Sequence, residues 1–562
     1  MLFTRKASAV CLFLAFEQVL TAQTPLSSLT ASLSFFSEVE NDLGQWDFDK
    51  GPVVNATGHL VFETANSLLQ HWPNTHYRIG HTIVPGTIPV GTILYHGAIG
   101  PNPPTALDWV AVDPDHSIVF CRGSIETGCW HVILTVTRPM KVLYFDGSSA
   151  AKLLEGTMDT QDLVAWSKMK PEWVLNEKQR IKDLCKWGQK YGLNGFVRME
   201  MNFEIMICNF TSHMEVVSFL NLESTRIGSG PPTDLPEDPN TGERPCPLHH
   251  ALEMMHSTSS RENYPGETRI ILDFSGLVSF YDTALVPSLV PRRVGLERWD
   301  HRVKGISSED IERVQDRLAQ VLAQPSVTAS GIDWKTVLRV VVDRYANRLE
   351  LMQYHLNMTM DDRSVFNHAK QIQRRLRTML LPYTVFAALP PNISVLANAT
   401  NLWAAPVFRE CAKSHTASMV ARRTTLTPSE RLLLQAVWET THEICRVLTK
   451  MWASGMVLGV DPLYPLENRP EADHIHTLMG EWKEDVTQLI SWLDWSVWVK
   501  CRPACSFEEM CYLPTWPLGF FPTPGTQLQA QWNNASLWPD PNKGEWKRPH
   551  PKCIRRLEPY GF

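Results

Sequence analysis

The feature that most constrains this chain is a block of short segments rich in β-branched and aromatic residues, from Gly91 to Asp146, with an echo from Gly195 to Phe210. It reads GTILYHG, DWVAVDPDHSIVF and HVILTVTRPMKVLYFDG, then YGLNGFVRMEMNFEIMICNF. Residues of this kind, punctuated by Gly, Pro, Asp and Asn, predict strands joined by turns. The strand candidates are TILYH, SIVFC, HVILTV, MKVLYF and FEIMIC. His96, Ser117, Glu200 and Glu204 sit on or beside them, where a packed sheet could bring polar groups together. A helix is predicted from Glu172 to Tyr191, with Gly192 as its stop and Asn194-Gly195 as a turn into the next strand. Asn209 falls on the last of these strands. TRIILDFSGLVSFYD reads as one more strand returning to the core.

From about Ser307 the pattern turns helical. Ser307 caps a helix with Ile311, Val314, Leu318 and Val321 along one stripe, and Ile306 is placed to staple onto Ile311. Asp333 caps the next, which carries Trp334, Leu338, Val341, Tyr345 and Leu349. A third follows from Val365 to Met379. Thr427-Pro428-Ser429-Glu430 is a capping box opening a further helix. The stretch from Trp482 to Trp498 is apolar on too many sides for a surface helix and reads as buried. The fold class is therefore α+β: an N-terminal mixed sheet domain packed with a mainly α-helical C-terminal half.

A chain of 562 residues is long enough for two or three domains. The expected organisation is a signal peptide over 1–22, an α+β domain over 23–225, a linker or long loop over 226–247, a mainly helical region over 248–500, and a Cys-, Trp- and Pro-rich tail over 501–562. The leader is read from Arg5 and Lys6 before the apolar run Ala7–Phe16, which is too short to cross a bilayer. Sequons at Asn55, Asn209, Asn357, Asn392, Asn398 and Asn534 fit a secretory route. So do 12 cysteines without zinc-site spacing, which suit disulfides whose pairing the sequence leaves open. The expected product is a secreted, extracellular glycoprotein with no stable membrane span. A net charge of −6 argues against a general nucleic-acid binder.

Several chemistries are absent: there is no GxSxG elbow, Walker A loop, GxGxxG or HExxH. His249, Glu253 and His256 in HHALEMMH would share a helical face, but that spacing is common by accident and no metal is assigned. Trp516, Trp532, Trp538 and Trp546 in the tail could stack sugars, or simply fill gaps under an irregular wrap.

Two resemblances extend this reading. Tyr95-His96-Gly97, then WVAVDPDHSIVF, then KYGLNGFVRMEMNFEIMICNF resemble in order the elements of the ADP-ribosyltransferase-like fold, over about a quarter of the chain. The resemblance implies NAD as cofactor, held by His96 with Trp109 and Ser117, and Glu204 as the catalytic carboxylate with Glu200 beside it. Members carry a Tyr or a Ser-Thr-Ser segment where this chain offers Trp109 and Ser117. Cleavage of a nicotinamide–ribose bond passes through an oxocarbenium-like species, so a placed carboxylate is intelligible there. On a strand, Glu200 and Glu204 would face one side. Over a longer span, RPMKVLYFDGSSAA, GTMDTQD, FVRMEMNFEIMICNF and SFYDTALVPSLV resemble a group of large secreted proteins from mushroom-forming fungi. That group brings no mechanism. Three functions follow as expectations: an enzyme acting on a ribosyl or glycosyl bond; a non-catalytic extracellular binding or structural protein; or a carbohydrate binder using the tail. The partner is a small molecule or an extracellular protein of unstated kind.

Overall fold

A computed structural model describes residues 46–557 apart from positions 99, 119, 122–125, 154, 225–260, 324–328, 390–400 and 515–547. The expected leader, the HHALEMMH segment, the whole of the expected linker and the four tail tryptophans lie outside the described residues. So do the sequons at Asn392, Asn398 and Asn534.

Ten strands form one mixed sheet: β1 Thr82–Ile88, β2 Ile93–Ala98, β3 Asp108–Ala111, β4 Cys129–Val136, β5 Met140–Phe145, β6 Gly195–Met199, β7 Phe203–Ile207, β8 Met214–Leu222, β9 Ile271–Leu272 and β10 Val278–Ser279. Their order is β10-β1-β5-β6-β7-β3-β2-β4-β8, with β9 also paired to β1. Every pairing is antiparallel except β5 with β6. TRIILDFSGLVSFYD does return to the sheet, though as two short strands separated by a 3₁₀ turn over Phe274–Gly276. The Asp273 carboxylate accepts the Ser275 N–H at 3.0 Å and starts that turn. Strands from both sides of the expected linker thus join one sheet, and the chain from Trp46 onward forms one compact unit.

Alternation along each strand divides the sheet's side chains between two cores. Val84, Leu94, Val110, Val132, Val197 and Ile205 meet the C-terminal helices in the larger one. Ile83, Leu143, Phe145, Phe196 and Met206 face the smaller one, covered by the helices Glu177–Gln189 and Ser308–Ala323. Covered on both sides, β6 and β7 are buried at every position.

The helical half is built as its caps dictate. The Asp333 carboxylate accepts the Thr336 N–H and opens Trp334–Leu356. Thr427 and Glu430 form a reciprocal capping box at the head of Pro428–Val457. With Val365–Leu380 and Ala472–Leu493 these helices enclose Trp334, Trp452 and Trp482, each at most 1% exposed. No helix among the described residues is long and apolar enough to cross a membrane. The architecture is α+β, with a mixed sheet in the N-terminal half and helices in the C-terminal half.

Four local expectations differ from the structure. The stretch from Trp482 is an amphipathic helix to Leu493 that buries Trp482, Val486, Leu489 and Leu493 and leaves Lys483, Glu484, Thr487, Gln488 and Ser491 exposed. SIVFC is not a strand: Asp113 Oδ1 accepts the N–H groups of Asp115 and His116 and starts the short helix Pro114–Ile118 instead. The helix expected from Glu172 begins at Glu177, after a 3₁₀ turn at Pro171–Trp173. Asn209 lies beyond β7 in an exposed turn, where its Oδ1 accepts the Thr211 N–H at 2.9 Å and its hydroxyl at 2.7 Å.

Among the described residues five disulfides form: Cys121–Cys129, Cys185–Cys208, Cys411–Cys445, Cys501–Cys511 and Cys505–Cys553. The clustering of Cys501, Cys505 and Cys553 is a product of these bonds and leaves no free thiolate for a metal.

Candidate functional site: a buried carboxylate centre

In open sheets, ligand sites collect beyond the carboxyl ends of parallel strands. Here those ends belong to β5 and β6. Past β6 the chain makes a tight hairpin, Glu200-Met201-Asn202, in which the Glu200 N–H donates to the Asn202 carbonyl at 3.1 Å. Asn202 Oδ1 accepts from Arg261 at 3.3 Å, and Arg261 in turn pairs with Asp113 at 2.7 Å. The turn is thereby fixed to the start of the Pro114–Ile118 helix. Past β5, Gly147 adopts φ +71, and a Cβ there would lie 2.5 Å from the Arg78 carbonyl. Only glycine fits that bend.

Arg198 and Glu204 are cross-strand partners in the β6–β7 register and point to one face. Arg198 Nε donates to Glu204 Oε1 at 2.7 Å, and Arg198 Nη2 lies 2.8 Å from Glu177 Oε2. Lys152 Nζ stands 3.5 Å from Glu200 Oε1 and 3.9 Å from Glu177 Oε1. Gln161 Oε1 accepts from Arg198 at 3.5 Å, and its amide donates to the Ser149 carbonyl, joining the β5 loop to the network. Arg198, Glu200 and Glu204 are 1%, 6% and 4% exposed. Lys152 and Glu177 form the more open rim.

Three carboxylates share two cations, so one negative charge is in excess. The excess falls on Glu200. Burial, with the neighbouring Glu204 charge adding to it and Lys152 opposing, pushes its carboxyl up to about 7. Burial also works to raise Glu177, but Arg198 and Lys152 outweigh it and hold that carboxyl below the usual range. Lys152 and Arg198 are held charged: burial opposes their charge, and their carboxylate partners prevail. The result is one carboxyl, Glu200, poised to carry a proton beside two that are held by Arg198. His116 is wholly buried near Glu204, with neither ring nitrogen hydrogen-bonded. Burial lowers its pKa against the pull of Glu204 and Asp113, so the ring is neutral.

The residues expected from the sequence are distributed as follows. Glu204 and Glu200 meet in this centre, Glu204 on β7 and Glu200 at the turn rather than on a strand. The ladder pairs Tyr95 with Ala111 and Ala111 with Glu204, which turns Glu204 and Tyr95 to one face and His96 to the other. His96 packs edge-on against Phe210, and its Nδ1–H donates to the Trp109 carbonyl at 2.6 Å. Trp109 packs into the smaller core. Ser117 is engaged by the Pro114 carbonyl at 2.8 Å and by His131 Nε2 at 2.6 Å. Of the groups expected to hold NAD, His96 lies on the face opposite Glu204, Ser117 is bound to His131 and Trp109 is taken up in the smaller core, so the three do not sit together on Glu204's face. Sequence reasoning passed over Arg198, Lys152 and Glu177. Only Arg198 left a signal, six residues before Glu204 across a short hairpin.

The fold and centre define a mixed-sheet protein with a buried acid–base cluster at the end of its parallel strand pair. Residues 130–238 match the family described as the YPL277C N-terminal domain, a stretch holding both Glu200 and Glu204. The chain is also similar to two Saccharomyces cerevisiae proteins. The uncharacterized protein YOR389W is 22% identical over 564 aligned residues, covering 84% of this chain and 83% of that protein. The uncharacterized protein YPL277C is 26% identical over 395, covering 56% and 77%. These similarities support kinship with an uncharacterised fungal family.

Proposed function

We propose that this protein cleaves or transfers a glycosyl or ribosyl bond, with Glu200 as proton donor and Glu204 as the fixed carboxylate. The observation that supports this reading is the split between two carboxyl groups four residues apart. One is raised toward neutrality by burial; the other is anchored to Arg198. Pairs separated in this way divide the work of acid and anion. Glu200 would give its proton to the leaving atom as the anomeric C–O or C–N bond breaks and the bonding pair departs with that atom. Glu204 would stabilise the positive charge that develops on the sugar. Water or an acceptor hydroxyl then adds to the carbon and returns a proton to Glu200. Lys152 and Glu177, at the rim, mark the side of approach.

A second reading, a non-catalytic binding or structural protein, draws support from the near-complete burial of the Arg198–Glu204 pair, which suits a locked scaffold. Incubating the full chain with 4-nitrophenyl glycosides and with NAD separates the two. Release of nitrophenol or nicotinamide that falls about 10²–10⁴-fold in Glu204→Gln supports catalysis. No release from any substrate, or release unchanged in a folded variant, supports the scaffold.

We also propose that the chain is secreted and glycosylated, as in the mushroom-fungus group it resembles. The Ala7–Phe16 run, the disulfides and the exposed Asn209 turn support this. Mass spectrometry of protein recovered from culture medium, for the cleaved N-terminus and glycan mass, is the test; retention inside the cell with an intact leader would refute it.

A further inference from the structure

On the same edge of the sheet, beyond the loop that follows β5, lies a cavity of about 130 Å³ whose wall includes Tyr77, His81, Asp146, Arg298 and Trp299. At roughly 30 Å³ per water it holds about four waters, which limits a ligand to a single ring. None of these residues takes part in the Glu200 network.

The hydrogen-bonding capacity left over in this cavity is specific. Asp146 Oδ1 accepts the N–H groups of His81 and Thr82, both at 2.7 Å, and Asp146 makes no ion pair among the described residues. His81 is 3% exposed, stacks on Tyr281 at 4.4 Å, and places Nδ1 2.9 Å from the Ile79 carbonyl. A carbonyl can only accept, so Nδ1 carries the hydrogen and Nε2 is a bare acceptor. That Nε2 is buried with no partner. Arg298 stacks over Tyr77 at 3.9 Å, donates to Thr64 at 3.2 Å, and has a buried Nη1 that makes no hydrogen bond and stands 3.6 Å from Asp494. Trp299 supplies a flat wall. Arg548 and Asp300, also on the wall, neutralise each other at 2.7 Å.

A ligand here must donate to His81 Nε2, hydrogen-bond Asp146 and accept from Arg298. A carboxylate or fully ionised phosphate only accepts and would leave His81 Nε2 without a donor, whereas an ammonium only donates and would leave Arg298 Nη1 without an acceptor. Hydroxyl groups do both, and a ring that carries several on an apolar frame also suits the aromatic wall.

We infer that this cavity is a binding site for one neutral sugar ring, either free or as a unit of a larger glycoside. The site does not rest on the chemistry proposed at Glu200.

Saturation-transfer NMR and calorimetry on the full chain with D-ribose, D-glucose and N-acetylglucosamine at millimolar concentration, each also as its methyl glycoside, test it. The expected result is saturable one-to-one binding of at least one sugar, weakened about tenfold or more in Asp146→Asn, which keeps an oxygen for the two amide donors. The Glu200→Gln/Glu204→Gln variant should bind as the parent does, so loss of turnover and loss of this site are read separately. A preference for the free sugar or its methyl glycoside tells which source the cavity takes. In the parent, the His81 Nε2 nitrogen resonance should move on saturation, a readout that needs no variant. Absence of saturable binding by every sugar, or binding that leaves the His81 resonance in place, would overturn the inference.

Discussion

Arg198 and Glu204 face each other across the β6–β7 hairpin with Nε and Oε1 2.7 Å apart, and both side chains lie almost wholly inside the protein. A buried pair of this kind is costly to break, because removing one partner strands the other's charge. Glu204→Leu should lower unfolding stability by about 3–5 kcal/mol. Arg198→Met should cost more, since Glu177 loses the same cation. The double variant should be less destabilised than the sum of the two, as measured by urea denaturation.

Stability should depend on pH with two opposed signs. Burial pushes the Glu63 and Asp146 carboxyls up to about 7, so the native state holds protons that an unfolded carboxyl releases near pH 4. Their contribution therefore falls as pH climbs from about 4 to 7 and is level above. Burial pushes His59 and His76 down to about 3, and His71 and His301 to about 4. The unfolded chain takes up those protons near pH 6.5 and the native state does not, so stability is lost as pH falls from there. Calorimetry should find melting temperature rising between about pH 4.5 and 6.5, where the four histidines outnumber the two acids, and Glu63→Gln, which removes one opposing acid, should steepen that rise.

Cys411 and Cys445 are both fully buried and tie Ala405–Lys413 to the long Pro428–Val457 helix. Replacing both with alanine should cost about 2–4 kcal/mol in denaturant unfolding. Peptide mapping without reduction should recover the two halves as one linked species.

Gly455 sits where the long helix meets its neighbours. A Cβ there would lie 2.1 Å from Gln373 Oε1 and 2.9 Å from the Trp482 ring. Gln373 cannot swing aside freely, because its amide donates to the Trp452 carbonyl and to Asp461, both at 3.0 Å. Gly455→Ala should therefore destabilise by about 1–3 kcal/mol despite the better helix propensity of alanine, a loss readable as a lower melting temperature.

What could be read in the sequence was what neighbouring residues settle among themselves. Asp333, Ser307 and the Thr427–Glu430 box start their helices where expected because a cap is satisfied within one turn. The same locality explains the miss at SIVFC, where Asp113 supplies a helix start that outweighs β-branched residues. The carboxylate centre was half legible. Glu200 and Glu204 stand close in sequence, but the cation Lys152 and the third carboxylate Glu177 arrive from a loop and a helix that only the fold brings near. The side to which His96 points depended on the register Tyr95–Ala111–Glu204, a relation between three strands that no local pattern specifies.

The most direct test of acid–base work at this centre is the pH dependence of turnover on a glycosyl or ribosyl substrate, in the parent and in Glu200→Gln. The parent rate should fall as pH rises through about 7, the point at which Glu200 gives up its proton. The variant should lose that limb, and should be slowed most on substrates with poor leaving groups. A parent rate flat through neutral pH, or a Glu200→Gln profile that still falls there, would contradict the account.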